Sequence, residues 1–143
     1  MIRILIVDDD KDLCKIFSDI LKEEGYFIKI AYDGESAIKK LKDKKYNLMV
    51  LDYKLKNDKN GLQVLEEAKQ IDPSLITIMI SAYGNKQVRA RAKEMGIYSF
   101  IDKPFNINRL INIVNKALIH YVIMKGNTKC IGRCKCKIDV SNY

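Results

Sequence analysis

Short apolar runs alternate with longer amphipathic stretches over the first 121 residues. Arg3-Ile-Leu-Ile-Val7 is too short for a helix and does not alternate, which predicts a strand buried on both faces of a parallel sheet. From Asp12 onward, Leu13, Ile16, Phe17, Ile20 and Leu21 recur at helical spacing, predicting an amphipathic helix that stops at Gly25. Tyr26–Ala31 reads as a second strand and Asp33-Gly34 as a turn. Ala37, Ile38 and Leu41 then begin a short helix whose outer face is Lys39, Lys40, Lys42, Lys44 and Lys45. Leu48–Leu51 predicts a third strand, followed by a polar loop to Gly61 and a helix carried by Leu62, Leu65, Ala68 and Ile71 up to Pro73. A strand at Leu75–Ile80, a helix at Gln87–Met95 closed by Gly96, and a strand at Tyr98–Ile101 come next. A long helix with Ile107, Leu110, Ile111, Val114, Leu118 and Tyr121 on one face ends the series.

Five strands alternating with five helices call for right-handed crossovers and a parallel sheet covered on both sides. The predicted class is α/β, a three-layer doubly wound sheet. Ligands of such sheets bind beyond the carboxyl ends of the strands. Those ends are polar throughout: Asp8-Asp9-Asp10 after the first strand, Asp52 after the third, Ser81 after the fourth and Lys103-Pro104 after the fifth. Any one of them alone reads as a cap or a turn former. Together on one edge they read as a site, because converging carboxylates repel unless a hard divalent cation or a lysine neutralises them. Mg²⁺, which takes oxygen ligands and accepts phosphate oxygens, fits that donor set. A carboxylate nucleophile, a metal, a lysine and a hydroxyl are what accepting a phosphoryl group requires.

Composition narrows the picture. The chain has 143 residues, 48% of them hydrophobic and 31% charged, which suits one core, and its apolar runs at Ile4–Val7 and Leu48–Leu51 fall far below the roughly 20 residues of a membrane span. Arg3, four apolar residues and three aspartates are too short and too acidic for a secretory signal, so a cytoplasmic location is expected. Cys14 alone lies in the body, while Cys130, Cys134 and Cys136 cluster near the end, so no disulfide framework is expected. Of the net charge of +8, half belongs to the last nineteen residues, where Lys125, Lys129, Arg133, Lys135 and Lys137 face only Asp139. The expected organisation is a domain over residues 1–124 and a flexible, basic, Cys-containing tail over 125–143. Three thiols with His120 could bind Zn²⁺, but paired CxxC motifs are absent, which favours the basic arm.

Ile4 to Asp10, Leu51-Asp52, Ser81-Ala82-Tyr83-Gly84 and Lys103-Pro104-Phe105 resemble, in order and spacing, the response-regulator receiver domain of two-component signalling, over about residues 2–121. The resemblance implies a flavodoxin-like strand order, 2-1-3-4-5. It implies that Asp52 is the phosphoacceptor, with Asp8, Asp9, Asp52 and the Lys54 carbonyl holding Mg²⁺. Lys103 would pair with the phosphate, Ser81 and Phe100 would be the switch residues, and the Lys103–Pro104 bond would be cis. The partners implied are a sensor histidine kinase or a histidine phosphotransfer protein, then a downstream protein or a second copy of the chain. Such a domain is a signalling phosphoacceptor rather than an enzyme. Lys54, Ala82-Tyr83-Gly84 and Lys103-Pro-Phe-Asn-Ile107 are further similar to stand-alone sporulation phosphorelay regulators, and Lys54 and Tyr83 are placed to obstruct water at the acyl phosphate. The chain departs from the family at Lys56, where proline is common, and at Gly61, one residue late. Its switch aromatic is Phe rather than the frequent Tyr.

Two other classes compete. Asp8-x-Asp10 after a first strand resembles the haloacid-dehalogenase phosphohydrolases, but Lys11-Asp12 supplies no Asp followed closely by Thr. A charge-driven nucleic-acid binder would need a helix-turn-helix or an aromatic-rich sheet face, and the basic residues are scattered instead. Neither nucleic acid nor a membrane is therefore an expected partner. His120, far along the chain from the acidic cluster, is not expected to donate phosphate.

Overall fold

The computed structural model describes residues 1–56, 59–82 and 85–124. Its elements are β1 (Arg3–Val7), α1 (Lys11–Glu23), β2 (Phe27–Ala31), α2 (Gly34–Asp43), β3 (Leu48–Asp52), α3 (Gly61–Ile71), β4 (Ile76–Ala82), α4 (Lys86–Glu94), β5 (Ser99–Lys103) and α5 (Ile107–Met124). The strands form one parallel sheet in the order β2-β1-β3-β4-β5, which is the expected doubly wound arrangement.

Alternation along the buried strands divides the core in two. Ile4, Ile6, Leu48, Val50, Ile78, Ile80 and Ile101 face one side, packed with Phe17 and Leu21 of α1 and Leu110, Val114 and Leu118 of α5. Leu5, Val7, Met49, Leu51 and Met79 face the other, packed with Ala37, Val64, Leu65, Val88 and Ala92 of α2, α3 and α4. The central strands β1, β3 and β4 are covered on both faces, which is why they read as nearly continuous apolar runs, whereas the edge strand β2 exposes Lys29.

Side chains fix the helix ends. Asp10, Asp33, Asn60 and Asn85 each accept a backbone N–H from the first turn of the helix that follows, and Asn60 with Gln63 completes a capping box. Asp33-Gly34 is thus a cap and a first helical residue, not the predicted turn. After α1 and α4 the chain turns through Gly25 (φ 97°) and Gly96 (φ 85°), a left-handed conformation that L side chains rarely adopt.

The inner stripe of α1 is rotated from the prediction. Cys14, Phe17, Ser18 and Leu21 are buried, and Ile16 is 54% exposed. Cys14 is completely buried, and its Sγ donates to the Asp8 carbonyl at 3.4 Å. Burial pushes its thiol up to about 12, helped by the aspartates nearby, so it stays protonated. Among the described residues no helix is long and apolar enough to cross a membrane. The Tyr83-Gly84 pair and the whole of the expected tail, 125–143, with its thiols, lie outside the described residues.

Candidate functional site

Strand register assembles the acidic group. Val7 lies beside Leu51, so the next residues, Asp8 just past β1 and Asp52 at the end of β3, stand side by side. Carboxylate oxygens of Asp8, Asp9 and Asp52 lie within 4.8 Å of one another. Asp8 and Asp52 are buried, and Asp9 is half-buried. Their hard oxygen donors, closely grouped and largely removed from water, fit a divalent cation such as Mg²⁺. Asp10 is not part of the group. Its exposed carboxylate caps α1, accepting from the Leu13 N–H at 3.1 Å, so the Asp8-x-Asp10 pair on which the phosphohydrolase reading depended is not assembled.

Lys103 stands at the end of β5, opposite Ala82 of β4, and two strand spacings, about 10 Å, separate its backbone from that of Asp52. Its side chain crosses that gap, and Nζ donates to Oδ2 of Asp52 at 3.1 Å. The Lys103–Pro104 peptide is cis.

The electrostatics follow from burial. Desolvation raises Asp8 from 3.8 to about 6, opposed by the Asp10 N–H that donates to its Oδ1 at 2.9 Å and reinforced by the charge of Asp52. Asp52 is raised as well, because burial outweighs the hydrogen bond and charge of Lys103 and the Lys54 backbone N–H that also donates to it. Burial works to lower Lys103, but the hydrogen bond and charge of Asp52 prevail and hold it above its ordinary value. The group is thus short of positive charge, and a cation would relieve it.

Ser81 lies inside β4, which extends two residues beyond the predicted end, and is 2% exposed with no hydrogen-bond partner for its hydroxyl. It follows directly on Ile80, the register partner of Asp52. Phe100 packs against the α2–α3–α4 side of the core. Lys54 is exposed beside Asp52. His120 is exposed on α5, where it meets the Tyr98 ring edge-on with centroids 6.1 Å apart.

Two features escaped the sequence reading. Gly61, late by one residue, still occupies the tight place behind the acidic strand end: its N–H donates to the Tyr53 carbonyl at 2.6 Å, and a Cβ there would stand 2.6 Å from Tyr53 Cα and 2.8 Å from the Asp52 carbonyl oxygen. Lys56, where proline was the norm, forms an isolated parallel β-bridge with Asp33 through its backbone. The second feature is Arg89 of α4, which pairs with Asp102 and lies over the Phe100 ring.

Comparison with known proteins gives the same picture. The family model described as "Response regulator receiver domain" matches residues 4–115. The chain is 38% identical over 116 residues to the nitrogen assimilation regulatory protein NtrX of Azorhizobium caulinodans, covering 80% of this chain and 26% of that one. It is 29% identical over 119 residues to the transcriptional regulatory protein ZraR of Salmonella typhimurium, covering 83% and 27%. The chain therefore spans about a quarter of the length of these curated relatives. Among solved structures, a CheY-like receiver domain protein from Methanospirillum hungatei aligns with a TM-score of 0.81 at 30% identity, over 87% of this chain and 98% of that one. The receiver domain of NtrX from Brucella abortus aligns at 0.74 and 38% identity, over 81% and 98%. Sequence, strand order and these matches agree, and the chain belongs to the response regulator receiver domain family.

Proposed function

We propose that residues 1–124 act as a receiver that takes a phosphoryl group from a phosphohistidine of a sensor kinase or phosphotransfer protein onto Asp52. A carboxylate oxygen of Asp52 attacks phosphorus in line, the phosphorus–nitrogen bond breaks, and the departing imidazole nitrogen takes up a proton. Asp8, Asp9, Asp52 and the Lys54 carbonyl would hold a Mg²⁺ ion, whose chemistry when bound is to neutralise charge on the transferring oxygens. Lys103, fixed 3.1 Å from Asp52, supplies a second positive charge to those oxygens. Ser81 offers a buried hydroxyl with no other partner, ready to donate to one of them.

The product is a dianion where a monoanion stood. Drawing Ser81 toward it opens room that Phe100 fills, which repacks the α4–β5–α5 face and transmits the signal as a shift of population. The output partner is a downstream protein or a second copy of the chain. One relative is named a transcriptional regulatory protein and is far longer than the region matched, so the expectation that nucleic acid is no partner finds no support at the level of whole proteins.

The observation that carries this reading is the convergence of three carboxylates within 4.8 Å, with Lys103 bonded to the innermost strand-end aspartate. The test is incubation with acetyl phosphate and Mg²⁺, followed by intact mass. Wild type gains one phosphoryl group and Asp52→Asn gains none. Equal labelling of the two would overturn the assignment.

A further inference from the structure

On the α4 side of the sheet, one arginine touches two residues of β5. The guanidinium carbon of Arg89 lies 4.7 Å from the centroid of the Phe100 ring, and its Nη2 pairs with Oδ2 of Asp102. Phe100 and Asp102 are two residues apart on a strand, so alternation puts them on the same face. Register sets Asp102 directly across from Ser81, whose buried hydroxyl has no partner, and Phe100 across from Met79. Lys103, bonded to Asp52, is the next residue after Asp102.

Packing alone fastens α4 weakly. Only Val88 and Ala92 are buried along its nine residues, whereas α1 buries Phe17 and Leu21 besides two smaller side chains. Two small apolar side chains remove little apolar surface from water. The Arg89–Asp102 pair is partly exposed, at 47% and 28%, so it can open without stranding a buried charge. An element that is held, yet can be released, is what a two-state rearrangement needs.

We propose that Arg89 is a positioning residue, a clamp that holds Phe100 and Asp102 of β5 against α4 and so sets how readily the β4–β5 edge rearranges around a phosphoryl group on Asp52, a role that rests on the receiver function proposed above. Movement of Phe100 toward Ser81 withdraws the ring from the guanidinium, so these contacts favour the resting arrangement. Removing them raises the responsive fraction by the factor they contributed. Arginine suits the place because its planar group stacks on a ring and donates to a carboxylate at once, while lysine keeps only the charge.

The test compares wild type, Arg89→Ala, Arg89→Lys and Asp102→Asn for the initial rate of phosphoryl uptake from acetyl phosphate with Mg²⁺, and for hydrogen exchange in residues 86–94 and 99–103 before any donor is added. Arg89→Ala should take up phosphate about three- to ten-fold faster, with quicker exchange in both segments. Asp102→Asn, which leaves the ring contact in place, should move in the same direction by less, and Arg89→Lys should lie nearer wild type than Arg89→Ala does. An Arg89→Ala rate within two-fold of wild type, a slower one, unchanged exchange, or Arg89→Lys matching Arg89→Ala would overturn the clamp while leaving the function standing. A wild-type chain that takes up no phosphoryl group would overturn the function and the clamp with it.

Discussion

A methyl group at position 61 would press on the backbone that presents Asp52. The neighbours at 2.6 and 2.8 Å are main-chain atoms of Tyr53 and Asp52, which cannot swing aside as a flexible side chain would. Gly61→Ala should therefore cost about 1–3 kcal/mol of stability, read as a lower urea midpoint, and should slow labelling of Asp52 by shifting its carboxylate. Spacing alone marked Gly61 as a departure, because close approach of two backbones leaves no trace in a single sequence. Asp8, Asp9, Asp52, Ser81 and Lys103 were readable for the opposite reason: polar residues ending apolar runs stand out. Arg89 gave no signal. An exposed arginine on a helix rich in charged residues looks like any solvated side chain until the ring and carboxylate beneath it are placed. Lys54 carries the expectation of a water barrier, and Lys54→Ala should shorten the life of the phosphorylated form, measured by the decay of the phosphorylated mass after the donor is removed.

Element existence followed from periodicity, but strand ends did not. β3, β4 and β5 run on through Asp52, Ala82 and Lys103, beyond the points where apolar character stops. Apolar runs record burial, whereas ladder hydrogen bonding continues into residues that serve the site. α1 shows the complementary error, since Cys14 and Ser18 face the sheet while Ile16 faces water. A stripe drawn through large apolar residues misses the small ones, Cys14 and Ser18, that share the buried face with Phe17 and Leu21. Its first turn carries a prediction that separates two neighbouring aspartates. Asp10 caps α1 and is exposed, so Asp10→Ala should cost about 1 kcal/mol of stability in urea and leave phosphoryl uptake at Asp52 within two-fold of wild type. Loss of uptake equal to that of Asp52→Asn would return Asp10 to the chemistry.

The folded chain confines buried carboxylates that the unfolded chain would leave in water, and that makes stability depend on pH in a direction set by Asp8. Folded, Asp8 keeps its proton up to about pH 6, while unfolded it would lose it near the ordinary 3.8. Between those values the folded chain binds more protons, so stability falls as pH rises, and the contribution present below pH 4 is gone above pH 6. A shift of that size corresponds to about 3 kcal/mol. Asp52, raised for the same reason of burial, adds in the same direction. Asp8→Asn removes the carboxylate, and in the presence of a chelator it should therefore stabilise the protein at pH 8 by about 1–3 kcal/mol relative to wild type and do little at pH 4. A divalent cation requires the ionised carboxylates, so it competes with the proton and reverses the order. With millimolar Mg²⁺ at pH 8, wild type should gain stability and Asp8→Asn should gain much less. At pH 5, where Asp8 holds its proton, neither should gain appreciably. Urea midpoints measured at pH 5 and pH 8, with and without Mg²⁺, check all of this. A wild-type response to Mg²⁺ equal at the two pH values would mean that the ion binds somewhere other than at Asp8 and Asp52.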